Sequence, residues 1–109
     1  MKINKIILCT SLVLLMGGVP GYAVEQSVCG DGSDVVLNDN GTLLSCTLKD
    51  EYSANGITCK RDRDITFYNN GALQSCILSD QTRINNITCK ADWTITFYQD
   101  GNLATCVKD

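Results

Sequence analysis

Apolar and polar residues alternate along short runs of this chain, each run breaks at a cluster of turn residues, and the rhythm returns at a fixed interval. Ile65-Thr66-Phe67-Tyr68 is β-branched and aromatic, Asn69-Asn70-Gly71 is turn chemistry, and Ala72 to Cys76 resumes the alternation. The same order recurs in Ile95-Thr96-Phe97-Tyr98, Gln99-Asp100-Gly101 and Asn102-Leu103. Each stretch predicts a β-hairpin, because Asn-Gly and Asp-Gly accept the positive φ that tight turns demand. A two-residue Asn70-Gly71 loop would set Phe67 opposite Gln74. A three-residue loop with Gly71 left-handed sets Phe67 opposite Leu73, apolar on apolar, and is the expected register. Val35, Ile65 and Ile95, then Leu37, Phe67 and Phe97, then Leu43, Leu73 and Leu103 would then form stripes across the array and are the predicted core. Cys76 falls three residues after Leu73 and faces the other way in a regular strand. Either the cysteines lie on the opposite face or a bulge turns them inward.

The hairpins belong to a larger unit, a block that begins and ends in cysteine, spans 18 residues and recurs every 30 residues at 29–46, 59–76 and 89–106. The third copy matches the second at 10 of 18 positions and the first matches it at 7. The connectors repeat too: residues 47–58 and 77–88 each carry Leu, then Asp two residues on, and end in Ile-Thr. They read as a strand continuing from the hairpin, a polar turn near Asp50 or Asp80, and a short strand into the next block. No stretch after residue 23 reads as a helix. The expected fold is all-β, a repetitive antiparallel meander of three disulfide-linked hairpin repeats forming one domain over residues 24–109. A short β-solenoid is the alternative; tight Asn-Gly turns favour antiparallel neighbours and hence the meander. Neither gives a repeat a core of its own, so stacking on neighbours must supply it.

Residues 1–23 read as a secretory signal peptide: Lys2 and Lys5 precede the apolar run Ile6 to Met16, and Gly21-Tyr22-Ala23 is a small-x-small cleavage site, with cleavage expected after Ala23. The run is shorter than the roughly 20 residues of a spanning helix, so no membrane span is expected in the mature chain. The protein is expected to be secreted or periplasmic. Cleavage would remove Cys9 and leave six cysteines among 86 residues. An even count in a short exported chain implies a disulfide framework. Pairing Cys29 with Cys46, Cys59 with Cys76 and Cys89 with Cys106 uses every thiol in three equivalent bonds. The rival local scheme, Cys46 with Cys59 and Cys76 with Cys89, strands Cys29 and Cys106 at opposite ends. The symmetric pairing is expected, each bond contributing about 3 kcal/mol by constraining the unfolded chain. Zinc is the other use of regularly spaced thiols, but the chain has no histidine and no close C-x2-to-4-C pair. No metal and no cofactor are expected.

Charge removes further classes. Residues 24–109 hold 7 basic and 12 acidic side chains, a poor match for nucleic acid or anionic membrane surfaces. Without histidine, a Ser or Cys nucleophile lacks its usual base, and no phosphate-binding glycine loop is present. Asp62 with Asp64 and Asp31 with Asp34 are paired carboxylates of a kind used by glycosidases or calcium sites; they read instead as solvated turns, with Arg61 and Arg63 interleaved. No catalytic activity is expected.

The motif I-x-F-Y-x-N/D-G-x-L at 65–73 and 95–103 resembles the tyrosine-and-glycine hairpin repeats of the MORN-like kind found in bacterial proteins. The Leu73-x-x-Cys76-x-Leu78 register is similar to exported bacterial proteins built from cysteine-containing 30-residue repeats. The likeness spans about residues 29–106, and the cysteines and period depart from MORN repeats. It implies a hairpin scaffold and, at most, lipid or protein binding, with no functional residue to transfer.

The candidate binding surface lies where the copies vary, after the first cysteine of each block: Lys60, Arg61, Arg63, Lys90 and the lone tryptophan, Trp93, together with Tyr68 and Tyr98 beside the turns. A tryptophan in a polar turn anchors a partner or caps an apolar stripe, and the tyrosines fit a contact ladder or ordinary cross-strand packing. The function expected is an extracytoplasmic binding or interaction module for a protein or a cell-envelope glycan. The alternative is a secreted inhibitor of a cell-wall hydrolase: lysozyme inhibitors include small exported disulfide-linked β proteins of similar size, though without this repeat.

Overall fold

A computed structural model describes residues 24–109; the predicted signal peptide, and Cys9 with it, lies outside the described residues. After a single 3-10 turn at Gln26–Val28 the chain forms ten strands: β1 (Val36–Leu37), β2 (Leu43–Thr47), β3 (Tyr52–Ala54), β4 (Ile57–Cys59), β5 (Asp64–Phe67), β6 (Leu73–Ile77), β7 (Thr82–Ile84), β8 (Ile87–Cys89), β9 (Thr94–Phe97) and β10 (Leu103–Thr105). Six of them make one antiparallel sheet in the order β1-β2-β5-β6-β9-β10, which is the expected meander. The connectors differ from expectation. Each folds into a separate two-stranded hairpin, β3-β4 and β7-β8, instead of extending the main strands. Their turns, Asn55-Gly56 and Asn85-Asn86, have positive φ at both residues, the geometry in which asparagine and glycine cost least. No helix among the described residues is long and apolar enough to cross a membrane.

The main hairpins close through the expected three-residue loop. Tyr68 donates its N–H to the Ala72 carbonyl at 2.8 Å, Gly71 donates to the Tyr68 carbonyl at 2.9 Å, and Gly71 sits at φ 88°. Phe67 accordingly faces Leu73, as Leu37 faces Leu43 and Phe97 faces Leu103. One pair further along, Thr66 faces Ser75 and not Gln74. Gln74 is therefore an extra residue, a β-bulge, and Leu44 and Ala104 hold the same place in the other blocks. The bulge resets the in-out alternation, so Leu73 and Cys76 both point inward and are each 2% exposed. It decides the open question of the cysteines in favour of the core.

All three disulfides follow the symmetric pairing, Cys29–Cys46, Cys59–Cys76 and Cys89–Cys106, with Cα separations of 5.7, 5.7 and 5.6 Å. The Cys59–Cys76 and Cys89–Cys106 bonds tie the end of a small hairpin to the main sheet. Between the layers lie Ile57, Ile65, Phe67, Leu73 and Leu78 with the cysteines. The Tyr52 ring stands edge-on to Phe67, centroids 5.6 Å apart.

The predicted stripes need correction at the ends. Ile65, Phe67, Ile95 and Phe97 are buried, but Val35 and Leu37 are 39% and 45% exposed and Leu103 is half-buried. For Val35 and Leu37 the reason lies in the second layer: β3-β4 precedes the second block and β7-β8 the third, whereas among the described residues no such hairpin precedes the first. Leu103 lies on β10, an edge strand of the sheet. Leu48 and Leu78, 1% and 0% exposed, join the core unpredicted. Truncation to alanine should produce very unequal costs at equivalent positions. Phe67→Ala should lower unfolding free energy by about 3–5 kcal/mol, and Leu37→Ala by less than about 1 kcal/mol, in denaturant titrations of the oxidised protein.

Candidate functional site

Alternation along the strands leaves one face of the six-stranded sheet bare, since the small hairpins cover only the face that carries Ile65 and Phe67. On the bare face the register lines up Ser45 with Thr66, Thr66 with Ser75, Ser75 with Thr96 and Thr96 with Thr105. Five hydroxyl side chains thus run straight across the strands, at the roughly 4.8 Å spacing of neighbouring β-strands. Thr66 and Ser75 share a hydrogen bond of 2.5 Å, and Thr96 and Thr105 one of 2.6 Å. A second row pairs Thr47 with Asp64, the hydroxyl donating to the carboxylate at 2.9 Å, and Ile77 with Thr94.

Two shallow grooves follow these rows. One, of about 290 Å³, is bounded by Asp34, Val36, Ser45, Thr47, Asp64 and Thr66. Its neighbour, of about 260 Å³, runs along Arg63, Thr66, Ser75, Ile77 and Thr94. Hydroxyls both donate and accept, and in the grooves they stand beside the charged groups of Asp34, Asp64 and Arg63.

The structure does not gather the predicted binding residues into one patch. Arg63 and Trp93 occupy equivalent places just before β5 and β9, where their carbonyls accept the N–H groups of Leu48 and Leu78, each at 3.0 Å. Trp93 is 53% exposed, so it does not cap the apolar stripe. Tyr68 and Tyr98 stand past the other ends of those strands. Tyr68 is half-buried and donates its hydroxyl to the Phe97 carbonyl of the next block at 2.7 Å, while Tyr98 is 58% exposed. Lys60 is engaged across the same boundary, by Asp92 at 2.5 Å. Arg61 pairs with its neighbour Asp62 at 3.4 Å, and Lys90 is exposed. The six cysteines form the three disulfides; five are buried and Cys106 is half-buried.

The hydroxyl rows are not among the sequence expectations, although Asp64-x-Thr66 and Thr94-x-Thr96 display them. Ser45 and Ser75 align with those threonines only because of the bulge. As for the paired carboxylates, Asp62 lies in the left-handed region at φ 63° and Asp64 accepts the Thr47 hydroxyl. Among the described residues no group of three or more His, Cys, Asp or Glu side chains is placed to hold a metal ion. Comparison with protein-family models, with curated proteins and with solved structures finds no match to the chain.

The Lys60 hydrogen bond and charge hold the Asp92 carboxyl below the usual carboxylate range. Its contribution is thus present above the unfolded-state pKa and fades as pH falls through the lowered folded value. The pair is solvent-exposed, so its effect on overall stability is small. NMR titration should show Asp92 protonating at lower pH than an ordinary aspartate, and Lys60→Met should return it toward the ordinary value.

Proposed function

We propose that the chain is a non-catalytic binding module acting outside the cytoplasm, and that it presents the bare face of its sheet to a cell-envelope glycan. The observation that carries this reading is the in-register row Ser45, Thr66, Ser75, Thr96 and Thr105 on a face left open by the second layer. A polysaccharide offers a matching series of hydroxyls along an extended chain, and the hydroxyl row exchanges hydrogen bonds with it, with Asp34, Asp64 and Arg63 at the groove edges as further partners for sugar hydroxyls. Trp93, exposed next to the start of β9, supplies an aromatic surface for the apolar face of a sugar ring. The MORN-like hairpin serves as scaffold, and three disulfides in so short a chain suit an oxidising compartment.

Sedimentation with insoluble envelope glycan, in the form of purified peptidoglycan sacculi, tests the reading. Wild-type protein should co-sediment, and Thr66→Lys combined with Ser75→Lys should weaken binding by about tenfold or more with the disulfides and circular dichroism unchanged. Trp93→Ala should weaken it less. Equal binding by the face variant, or no binding by the wild type, overturns the proposal. Inhibition of lysozyme at stoichiometric amounts would put the protein in the hydrolase-inhibitor class instead.

A further inference from the structure

The two ends of the repeat array are the two halves of an interface that the molecule already contains twice. Inside the array, β2 meets β5 and β6 meets β9 in the same register: Ser75 opposite Thr96, Cys76 opposite Ile95, Ile77 opposite Thr94. Backbone bonds lock the junction beyond the strands. Leu78 donates to the Trp93 carbonyl at 3.0 Å and accepts from Asp92 N–H at 2.7 Å, as Leu48 does with Arg63 and Asp62, each at 3.0 Å. Tyr68 adds its hydroxyl to the Phe97 carbonyl.

At the ends of the sheet the same parts stand without neighbours among the described residues. β1 and β10 are its edge strands. Leu73 and Cys76 are each 2% exposed and Ile57 is 3% exposed, whereas their counterparts Leu103, Cys106 and Ile87 are only half-buried around an open groove of about 290 Å³. At the opposite end Val35 and Leu37 are exposed where Ile65, Phe67, Ile95 and Phe97 are 0–2% exposed. The docking loop of the first block already has the shape of its internal counterparts, with Gly32 at φ 77° beside 63° for Asp62 and 68° for Asp92. Tyr98, 58% exposed, is the counterpart of Tyr68 without its carbonyl.

We infer that the protein associates head to tail with a second copy of itself, β10 of one chain pairing antiparallel with β1 of the next in the register used inside the array. Advancing the internal contacts by one repeat places Thr105 opposite Val36, Cys106 opposite Val35 and Val107 opposite Asp34. The Tyr98 hydroxyl reaches the Leu37 carbonyl of the second copy, and Lys108 takes the place of Leu48 and Leu78 against the Gly32-Ser33 turn. Charge favours this partner: Lys90 and Lys108 outnumber Asp109 at one end, and Asp31 and Asp34 flank the turn at the other. The contact is heterologous, so each addition leaves the same two ends free and assembly does not stop at the dimer. It brings the hydroxyl rows of successive chains into line with Val36 between them at each junction, and it stands on the end geometry and not on glycan binding.

Sedimentation velocity of the protein produced from the full chain, with its disulfides formed, tests the inference across concentrations up to about 1 mM, the weak end of specific association. The mean mass should rise with concentration past that of a dimer. Tyr98→Phe, which removes one hydroxyl from an exposed ring, should weaken association by about fivefold. Leu37→Asp damages only the β1 end, and Val107→Asp, which sets a carboxylate against Asp34, damages only the β10 end. Each variant alone should stay monomeric, and an equimolar mixture should form a dimer and nothing larger through the remaining intact ends. A wild type that stays monomeric, an assembly indifferent to both substitutions, or a mixture that stays monomeric overturns the inference. Should either aspartate variant fail to form its disulfides, the Tyr98→Phe comparison still decides: unchanged association overturns it.

Discussion

Everything in this fold that is covalent depends on one extra residue in each returning strand. In an unbroken strand Leu73 and Cys76 would point to opposite faces. The cysteines would then sit in solvent, out of reach of Cys59 and Cys89 at the ends of the small hairpins. The bulge at Leu44, Gln74 and Ala104 restores them to the side that carries Phe67. Once there, the Cys59–Cys76 and Cys89–Cys106 bonds fasten a second layer that is too small to hold itself, since an isolated two-stranded hairpin is marginal in water. Covered by that layer, Ile65, Phe67, Ile95 and Phe97 become a core. The bulge, the disulfides and the core are thus steps of one dependency, and it runs from backbone register outward.

The same bulge defines what stays outside. Resetting the alternation sends Ser45, Ser75 and Thr105 to the face opposite the cysteines, in line with Thr66 and Thr96. A sheet built this way has a dry side and a hydroxyl side with no further requirement. Burial on the dry side is cooperative between blocks, because each block is completed by the hairpin before it and the block after it. That is why the first and last blocks are the least covered although their sequences carry the same pattern.

How far the chain could be read follows from which signals are local. Asn69-Asn70-Gly71 sits between its own strands, and the left-handed glycine set both the loop length and the Phe67–Leu73 pair that the structure contains. The disulfide pairing was legible for a different reason, the symmetry of the spacing. Asn55-Gly56 is an equally strong turn signal, yet the connector reads as a continuing strand, a polar turn near Asp50 and a short strand into the next block, because Tyr52 to Ala54 is short and weakly patterned. Val35 and Leu37 were misplaced because their pattern matches Ile65 and Phe67; what differs is the cover, a tertiary fact. The bulge left no local mark, since Leu44, Gln74 and Ala104 share no residue type, and with it the alignment of serine and threonine across strands was out of reach.

That alignment changes where specificity is to be sought. Positions that repeat between blocks are naturally credited to the scaffold, which directs attention to variable residues such as Trp93 and Lys90. On the bare face no packing requirement acts, and yet hydroxyls recur at 45, 66, 75, 96 and 105. Threonine is a good strand former and needs no other reason to stand there. Serine is not, and Ser45 and Ser75 interleave with the threonines of the row. Thr66 shares a hydrogen bond with Ser75 and Thr96 with Thr105, so these four hydroxyls of the row are ordered by their neighbours. A ligand that replaces or bridges such bonds meets groups whose rotamers are already fixed, which lowers the entropic cost of binding. Repetition on the covered face answers to the core; on the open face it is the regularity itself that a repeating partner can use.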